Sequence, residues 1–173
     1  DEKDPYYDAI KYLYENGIMN GISLTQFGPD MELQRAMLVT ILYRMEGKPA
    51  VEGKHTFSDV AGGQYYTEAV EWASDNGIVN GFTDGTFKPT QAVSREQLAA
   101  IIYRYAQYKG VKIAEPTATL SAGASVSDWA MQNVLWALSE GILSSTMANH
   151  ATANANRAEV AVAIYVYLTK TAA

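Results

Sequence analysis

Cysteine is absent from the 173-residue chain. That excludes a disulfide framework and thiolate chemistry, and it suits many bacterial surface proteins as well as cytosolic ones. Basic residues are scarce too, with 13 Lys and Arg against 19 Asp and Glu, a net charge of −6 and a pI near 4.9. A nucleic-acid partner would want a clustered basic face, so none is expected. No apolar run approaches the roughly 20 residues needed to span a bilayer, and no membrane insertion is expected. The acidic, tyrosine-rich start at Asp1 carries no signal-peptide pattern; if the protein is exported, the targeting segment was removed or lies outside this chain. Only two histidines occur, His55 and His150, with no matched Ser, Cys or Asp constellation. Asp59 and Asp84 lack a spacing that identifies a glycosidase pair, and Asp84-Gly85 reads as a turn rather than a calcium loop. No enzyme, cofactor or metal site is expected.

What the chain does have is repetition. Gly17, Asn20-Gly21, Phe27, Pro29 and Arg35 recur 60 residues later as Gly77, Asn80-Gly81, Phe87, Pro89 and Arg95. A third copy keeps Gly141 and Arg157 but is two residues shorter between them. Counted from Gly141, it replaces Asn-Gly with Ser144-Ser145, and Phe and Pro with Ala151 and Ala153.

Each copy predicts helix, loop, helix. Apolar residues at Ala9, Ile10, Leu13, at Ala69, Val70, Ala73, and at Val134, Ala137, Leu138 form a helical stripe. The stripe stops at Gly17, Gly77 or Gly141, a residue suited to the left-handed position past a helix end. The second helix opens at Ser94…Gln97 with the pattern of a capping box, repeated at Asn156…Glu159 but not at Gln34…Met37. Its stripe runs Leu98, Ile101, Ile102, Tyr105, matched by Leu38, Ile41, Leu42, Met45 and by Val160, Ala163, Ile164, Tyr167. The expected copies are 1–48, 57–110 and 120–173, joined by connectors at 46–56 and 109–125. A short helix pair rarely folds alone, so the three should form one all-α structural unit in which the Gly17, Gly77 and Gly141 helices pack together.

These residues resemble the S-layer homology domain. The second copy carries Phe57-Ser58-Asp59-Val60, Tyr65-Tyr66, Gly77-Ile78-Val79-Asn80-Gly81, Phe87-Lys88-Pro89 and Ser94-Arg95-Glu96-Gln97. The third keeps Trp129-Ala130, Gly141-Ile142 and Asn156-Arg157-Ala158-Glu159. With Tyr6 aligned on Tyr66, the opening Phe-X-Asp-Val of the first copy would fall upstream of Asp1, as in a piece cut from a longer protein. The resemblance implies three repeats with pseudo-threefold symmetry around a central three-helix bundle. It implies non-covalent anchoring of a larger surface protein to a Gram-positive-type cell wall. The partner would be a secondary cell-wall polysaccharide, often bearing a pyruvylated amino sugar, held in grooves between repeats.

A pyruvyl ketal carries a carboxylate, and an arginine beside the unpaired N–H groups of a helix start is a suitable receptor. Arg35, Arg95 and Arg157 occupy that position, with Ser94 holding the helix start; Arg95 is expected to be the main anchor and the third copy the weakest. The alternative is that these are plain caps, with the arginines solvated or paired to a neighbouring repeat's carboxylate. Trp72, Trp129 and Trp136 could stack on sugar or pack in the core. Gly81 could present backbone N–H groups or simply make a turn. The rival function is a protein-interaction spacer that has lost its glycan, supported by the departures at Gln34…Met37 and Ser144-Ser145.

Overall fold

A computed structural model describes residues 3–23, 25–53 and 57–171, without the side chain of Thr171. His55 lies outside the described residues. The first copy supplies α1 (Tyr7–Glu15) and α2 (Arg35–Met45), the second α3 (Thr67–Asp75) and α4 (Arg95–Tyr108). A 3-10 turn at Asp128–Ala130 leads into α5 (Met131–Ser139), followed by a short α6 (Ser145–Asn149) and by α7 (Arg157–Thr171). Among the described residues the only β-pairing is a set of isolated bridges. The class is all-α, as expected.

Local chemistry fixes the helix ends. Gly17, Gly77 and Gly141 take positive φ of 66°, 67° and 69°. The following isoleucines then donate back five residues, Ile18 to Leu13, Ile78 to Ala73 and Ile142 to Ala137, which satisfies end carbonyls that would otherwise be orphaned. At the start of α4, Ser94 Oγ accepts the Gln97 N–H and Gln97 Oε1 accepts the Ser94 N–H, completing the capping box. Asn156 and Glu159 make the same reciprocal pair at α7. Gln34 gives α2 no side-chain cap.

The middle of the third copy departs from the sequence reading. Where a worn loop was expected there is a helical turn, α6, because Ser144 Oγ accepts the Met147 N–H at 3.2 Å as an N-cap. The copy's register also differs from a count made from Gly141, which sets Ala151 and Ala153 opposite Phe87 and Pro89. In the structure these two alanines offer the carbonyls that Pro89 and Gln91 offer in the second copy. The two-residue shortening therefore falls before residue 151, inside the α6 segment.

The copies close on one another in a cycle. Leu33 N–H donates to Ala155 O at 3.1 Å, Ala155 N–H to Val93 O at 2.8 Å, and Val93 N–H to Leu33 O at 2.8 Å. Antiparallel bridges Gln34–Ala92, Ser94–Asn154 and Glu32–Asn156 flank this ring. The first two N–H groups of each second helix continue it. Arg35 and Ala36 donate to Gln91 and Pro89, Arg95 and Glu96 to Ala153 and Ala151, Arg157 and Ala158 to Met31 and Pro29, all at 2.8–3.0 Å.

Helix contacts follow the same order, α2 on α3, α4 on α5 and α7 on α1. The helices that end at Gly17, Gly77 and Gly141 thus do not pack together as expected. Their stripes are rich in alanine (Ala9, Ala69, Ala73, Ala137), and each helix lies against the second helix of the preceding copy in the cycle. One contiguous core results, running from Leu13 and Leu38 through Ile78 and Leu98 to Val134 and Ile164. The connector after α4 is pinned to it by Val111, Ile113 and Leu120, and by Ser139 Oγ, which accepts the Thr117 and Ala118 N–H groups.

One end of the bundle is aromatic. Trp72 lies between Tyr43 and Tyr108, and Tyr105 meets Tyr167 with ring centroids 5.5 Å apart. Tyr105 Oη donates to the Glu46 carboxylate, which also takes Lys109 Nζ at 2.9 Å. Burial, reinforced by Glu46, raises the Tyr105 hydroxyl well above the usual tyrosine range and the Tyr167 hydroxyl to about 12.

Two outcomes follow. The unfolded chain releases tyrosine protons near pH 10 while the folded one still holds them, so this stabilisation is complete below about pH 10 and lost as pH rises towards 12. A thermal melt series should show that alkaline decline, and Tyr167→Phe should flatten it. Deleting residues 120–173 removes α7 from α1 and α5 from α4, so the remainder should lose its cooperative transition by circular dichroism. A sharp, native-like melt of that shortened chain would contradict the closed-ring account.

Candidate functional site

Two equivalent grooves lie between the copies. The larger, of about 550 Å³, is walled by the Val79–Thr83 loop and by Gln97, Ile101 and Arg104 of α4. Arg35 enters it from the first copy and Trp129 from the third. The smaller, of about 150 Å³, repeats this with Met19–Gly21, with Met37, Ile41 and Arg44 of α2, with Arg157 from the third copy and with Tyr65 from the second. Each groove therefore draws on all three copies.

The helix-start arginines are largely consumed by the fold. Arg35 is 5% exposed and donates Nε to Phe87 O at 2.8 Å and Nη1 to Gln97 Oε1 at 3.1 Å, with its guanidinium between the Phe82 and Phe87 rings. Desolvation brings its pKa down to about 10, against the opposing pull of Asp59, so it stays cationic at neutral pH. Arg157 donates to Phe27 O and Asn20 O at 2.9 and 2.6 Å, above the Phe27 ring. Arg95 makes a two-point ion pair with Glu159 at 3.1 and 2.6 Å and reaches His150 O. The backbone N–H groups beside all three are bonded within the ring or to the cap, so none of these three helix starts offers an unpaired N–H cluster to an anion.

Arg44 and Arg104 behave differently. They are half-buried further along their helices, and neither guanidinium makes a hydrogen bond or ion pair with the described residues. Desolvation lowers the Arg104 pKa with no compensating partner. Trp129, 55% exposed, faces the same groove, and its position is set by buried Glu96, whose carboxylate takes both the Ser127 N–H and Oγ at 2.9 Å. The third helix pair carries Val166 at the place of Arg104, α6 at the place of the glycine loop, and the Arg95–Glu159 pair.

A protein-family model for the S-layer homology domain matches residues 1–36 and 56–99. The chain belongs to the S-layer homology family. Its relatives include an amylopullulanase of Thermoanaerobacterium thermosulfurigenes, 34% identical over 94% of this chain and 9% of the relative. The exoglucanase XynX of Acetivibrio thermocellus is 31% identical over 94% of this chain and 15% of its own length. A surface-layer 125 kDa protein of Lysinibacillus sphaericus is 26% identical over 84% and 12%. The chain thus spans between 9% and 15% of these relatives. The S-layer homology domain is a cell-wall-binding domain, not a catalytic one.

Within this S-layer homology module several roles expected from the sequence change hands. Arg95, expected to be a guanidinium facing a groove, is neutralised by Glu159, which realises the alternative of pairing to a neighbouring repeat. Ser94 spends its hydroxyl on the Gln97 N–H and is 9% exposed. Trp72 is 3% exposed and belongs to the aromatic core, as does Trp136 against Tyr103. Gly81 does line the larger groove, but it is glycine for packing. Its φ is +66°, and a Cβ there would lie 2.2 Å from the Phe57 ring. Asp59 accepts the Phe87 and Lys88 N–H groups at 2.8 Å, and Asp84 accepts from Thr86, so both carboxylates hold turns. Sequence reading missed Arg44, Arg104 and Tyr65 as groove residues. The signal was present, since Arg44 and Arg104 differ by the same 60 as the other repeated pairs.

Arg95→Ala should cost about 1.5–3 kcal/mol, the range for hydrogen bonds to charged groups, because it leaves Glu159 without its partner across the repeat boundary. Urea titration should place Arg95→Lys between the two, since an ammonium cannot make the planar double contact. No change in the urea midpoint would mean that the pair is solvent-screened.

Proposed function

We propose that this module fastens the rest of a larger surface protein to the wall of a Gram-positive-type bacterium. It does so by holding a secondary cell-wall polysaccharide, through a pyruvylated amino sugar, in the grooves lined by Arg44 and Arg104. The observation that carries this reading is Arg104, a desolvated cation with no partner among the described residues, set beside an exposed indole. Burying an unpaired charge is costly, and an incoming carboxylate relieves that cost. A guanidinium fork suits the planar carboxylate of a pyruvyl ketal, and Trp129 or Tyr65 suits the apolar face of a pyranose. Arg35 and Arg157, held by bonds to the neighbouring copy, add positive charge behind each groove without a free donor face of their own. The three copies, 1–48, 57–110 and 120–173, act as one unit in this reading, because each groove is assembled across their boundaries.

A chain with net charge −6 opposes an anionic polymer at long range. Local pairing has to overcome that field, so binding should weaken as salt falls only if the long-range repulsion dominates the contact. The groove that would include Arg95 carries no net cation and is not expected to bind. The commitment of all three helix-start arginines to neighbouring copies favours one second reading, a spacer or protein-interaction module. A pull-down on purified wall sacculi before and after hydrofluoric acid stripping separates the two, since a spacer would not notice the loss of the polymer.

Calorimetry with pyruvylated and depyruvylated polymer tests the residues. Arg104→Ala should weaken binding by about ten- to a hundredfold at its groove, the equivalent of losing one charge-assisted hydrogen bond. Arg104→Lys should recover part of it. The melting temperature should hardly move, because the Arg104 side chain makes no hydrogen bond or ion pair with the described residues. Equal affinity for both polymers, or full binding by the Arg44→Ala, Arg104→Ala double variant, would sink the assignment.

A further inference from the structure

The dipeptide Asn-Gly occurs four times, as Asn16-Gly17, Asn20-Gly21, Asn76-Gly77 and Asn80-Gly81. It is the least hindered setting in which an asparagine can react with its own backbone, because the glycine places no Cβ beside the attacking nitrogen. The fold puts these identical dipeptides into two different environments. Asn16 and Asn76 stand at the ends of α1 and α3, where their Nδ2 groups donate to Tyr12 O at 2.7 Å and Trp72 O at 2.8 Å. The Gly17 and Gly77 N–H groups donate to Tyr14 O and Ser74 O, both at 3.0 Å. Reaction at either place has to break two hydrogen bonds of a helix end.

The other two dipeptides are open. Asn20 and Asn80 are exposed, and neither carboxamide makes a hydrogen bond with the described residues. The Gly21 and Gly81 N–H groups have no backbone acceptor there either. A nucleophilic nitrogen and an electrophilic carboxamide carbon thus lie one residue apart with neither tied up. Both dipeptides also sit on groove walls, Asn80-Gly81 on the larger and Asn20-Gly21 on the smaller.

We propose that Asn20 and Asn80 are sites of spontaneous deamidation, converted to aspartate and isoaspartate while Asn16 and Asn76 persist. The glycine backbone nitrogen loses its proton and attacks the asparagine Cγ. A new N–Cγ bond closes a succinimide ring, and the Cγ–Nδ2 bond breaks with release of ammonia. Water then opens the ring. Cleavage at Cγ leaves aspartate, and cleavage at the main-chain carbonyl leaves isoaspartate, whose chain runs through the former side chain. Water is the sole co-reactant. Each event adds one negative charge and sets a carboxylate on a groove wall. In the smaller groove that carboxylate arises beside Arg157, whose Nη2 lies 2.6 Å from the Asn20 carbonyl. The third copy, with Ser144-Ser145 at this place, carries no such site. The chemistry stands apart from the glycan reading, and only its consequence rests on it: an aged groove repels the anion that a fresh one holds.

The test is timed incubation of the folded chain in mildly alkaline buffer, followed by digestion in acid and fragment-ion mass spectrometry of each asparagine. Asn20 and Asn80 should convert faster than Asn16 and Asn76 by roughly five- to a hundredfold, the effect of two hydrogen bonds that must open before reaction. In urea all four should convert alike, and Asn20→Gln, Asn80→Gln should abolish the early acidic shift on ion exchange. Equal rates at the four positions of the folded chain overturn the proposal, as does an Asn20 and Asn80 pair that converts in urea but not when folded. Calorimetry of Asn80→Asp with pyruvylated polymer reads the consequence. Binding at the larger groove should weaken by about fivefold, the repulsion of two unit charges about 4 Å apart in water. Undiminished affinity removes that consequence, whereas a native chain that binds no polymer defeats the glycan reading and leaves the four conversion rates to decide the modification.

Discussion

Everything in this module hangs on the ring of three backbone hydrogen bonds that joins Leu33, Val93 and Ala155. Each residue donates to one copy and accepts from the other, so the ring closes only when all three copies are present. It sits where each second helix begins, and it dictates where the first N–H groups of that helix go. Helix starts normally leave several donors for water, caps or ligands. Here two of them in every copy are aimed at carbonyls of the next loop. A bond of this kind is worth about 0.5–1.5 kcal/mol net, and leaving the buried donor unmatched costs more. The copies therefore gain their fold from one another, which is why connectors as different as 46–53 and 109–125 can serve between them.

That constraint redistributes the cations. An arginine at the first turn of a helix looks like an anion receptor when the adjacent N–H groups are open. Once these are satisfied, the same arginine is well placed to reach across the boundary, and Arg35, Arg95 and Arg157 all do so, to loop carbonyls or to Glu159. Their burial costs solvation, which the carbonyls and the Phe82, Phe87 and Phe27 rings partly replace. In the proposed reading the role of receiving an external anion moves along the helix to Arg44 and Arg104, whose guanidinium groups have no such replacement among the described residues. First-turn arginines bind copy to copy, and the later pair faces outward.

Much of this is legible in the amino-acid sequence alone. The 60-residue offset, the glycines that stop each first helix and the two stripes are local signals, and they place the two main helices of each copy, the ends of the first ones and the buried positions of α4 and α7 correctly. The capping boxes at Ser94 and Asn156 are readable for the same reason. What sequence could not reveal was which copy each residue faces. Arg95 and Glu159 are 64 residues apart and meet only because the ring turns the third copy onto the second. Trp72 and Trp129 look alike as tryptophans near a first helix, yet one falls inside the Tyr43–Tyr108 cluster and the other on a groove rim. Ser144-Ser145 read as the loss of a loop because the loss of Asn-Gly is visible in a sequence, whereas a new N-cap is visible only if the five residues after it are helical.

The third copy shows which parts of the design tolerate change. The ring and the bonds around it use main-chain carbonyls, which any residue carries, so Ala151 and Ala153 can stand where Pro89 and Gln91 stand without opening the cycle. The groove walls use side chains, and there substitution changes the surface that is offered. Val166 in place of Arg104 removes the outward cation, and Glu159 in place of Gln97 turns a shared amide into a full neutralising charge on the arginine it meets. A copy can thus lose its own groove while still lending residues to the others, and this one does: Arg157 backs the groove of Arg44, and Trp129 walls the groove of Arg104. Because each groove borrows from all three copies, the worn repeat stays necessary to the two intact ones, as scaffold and as wall.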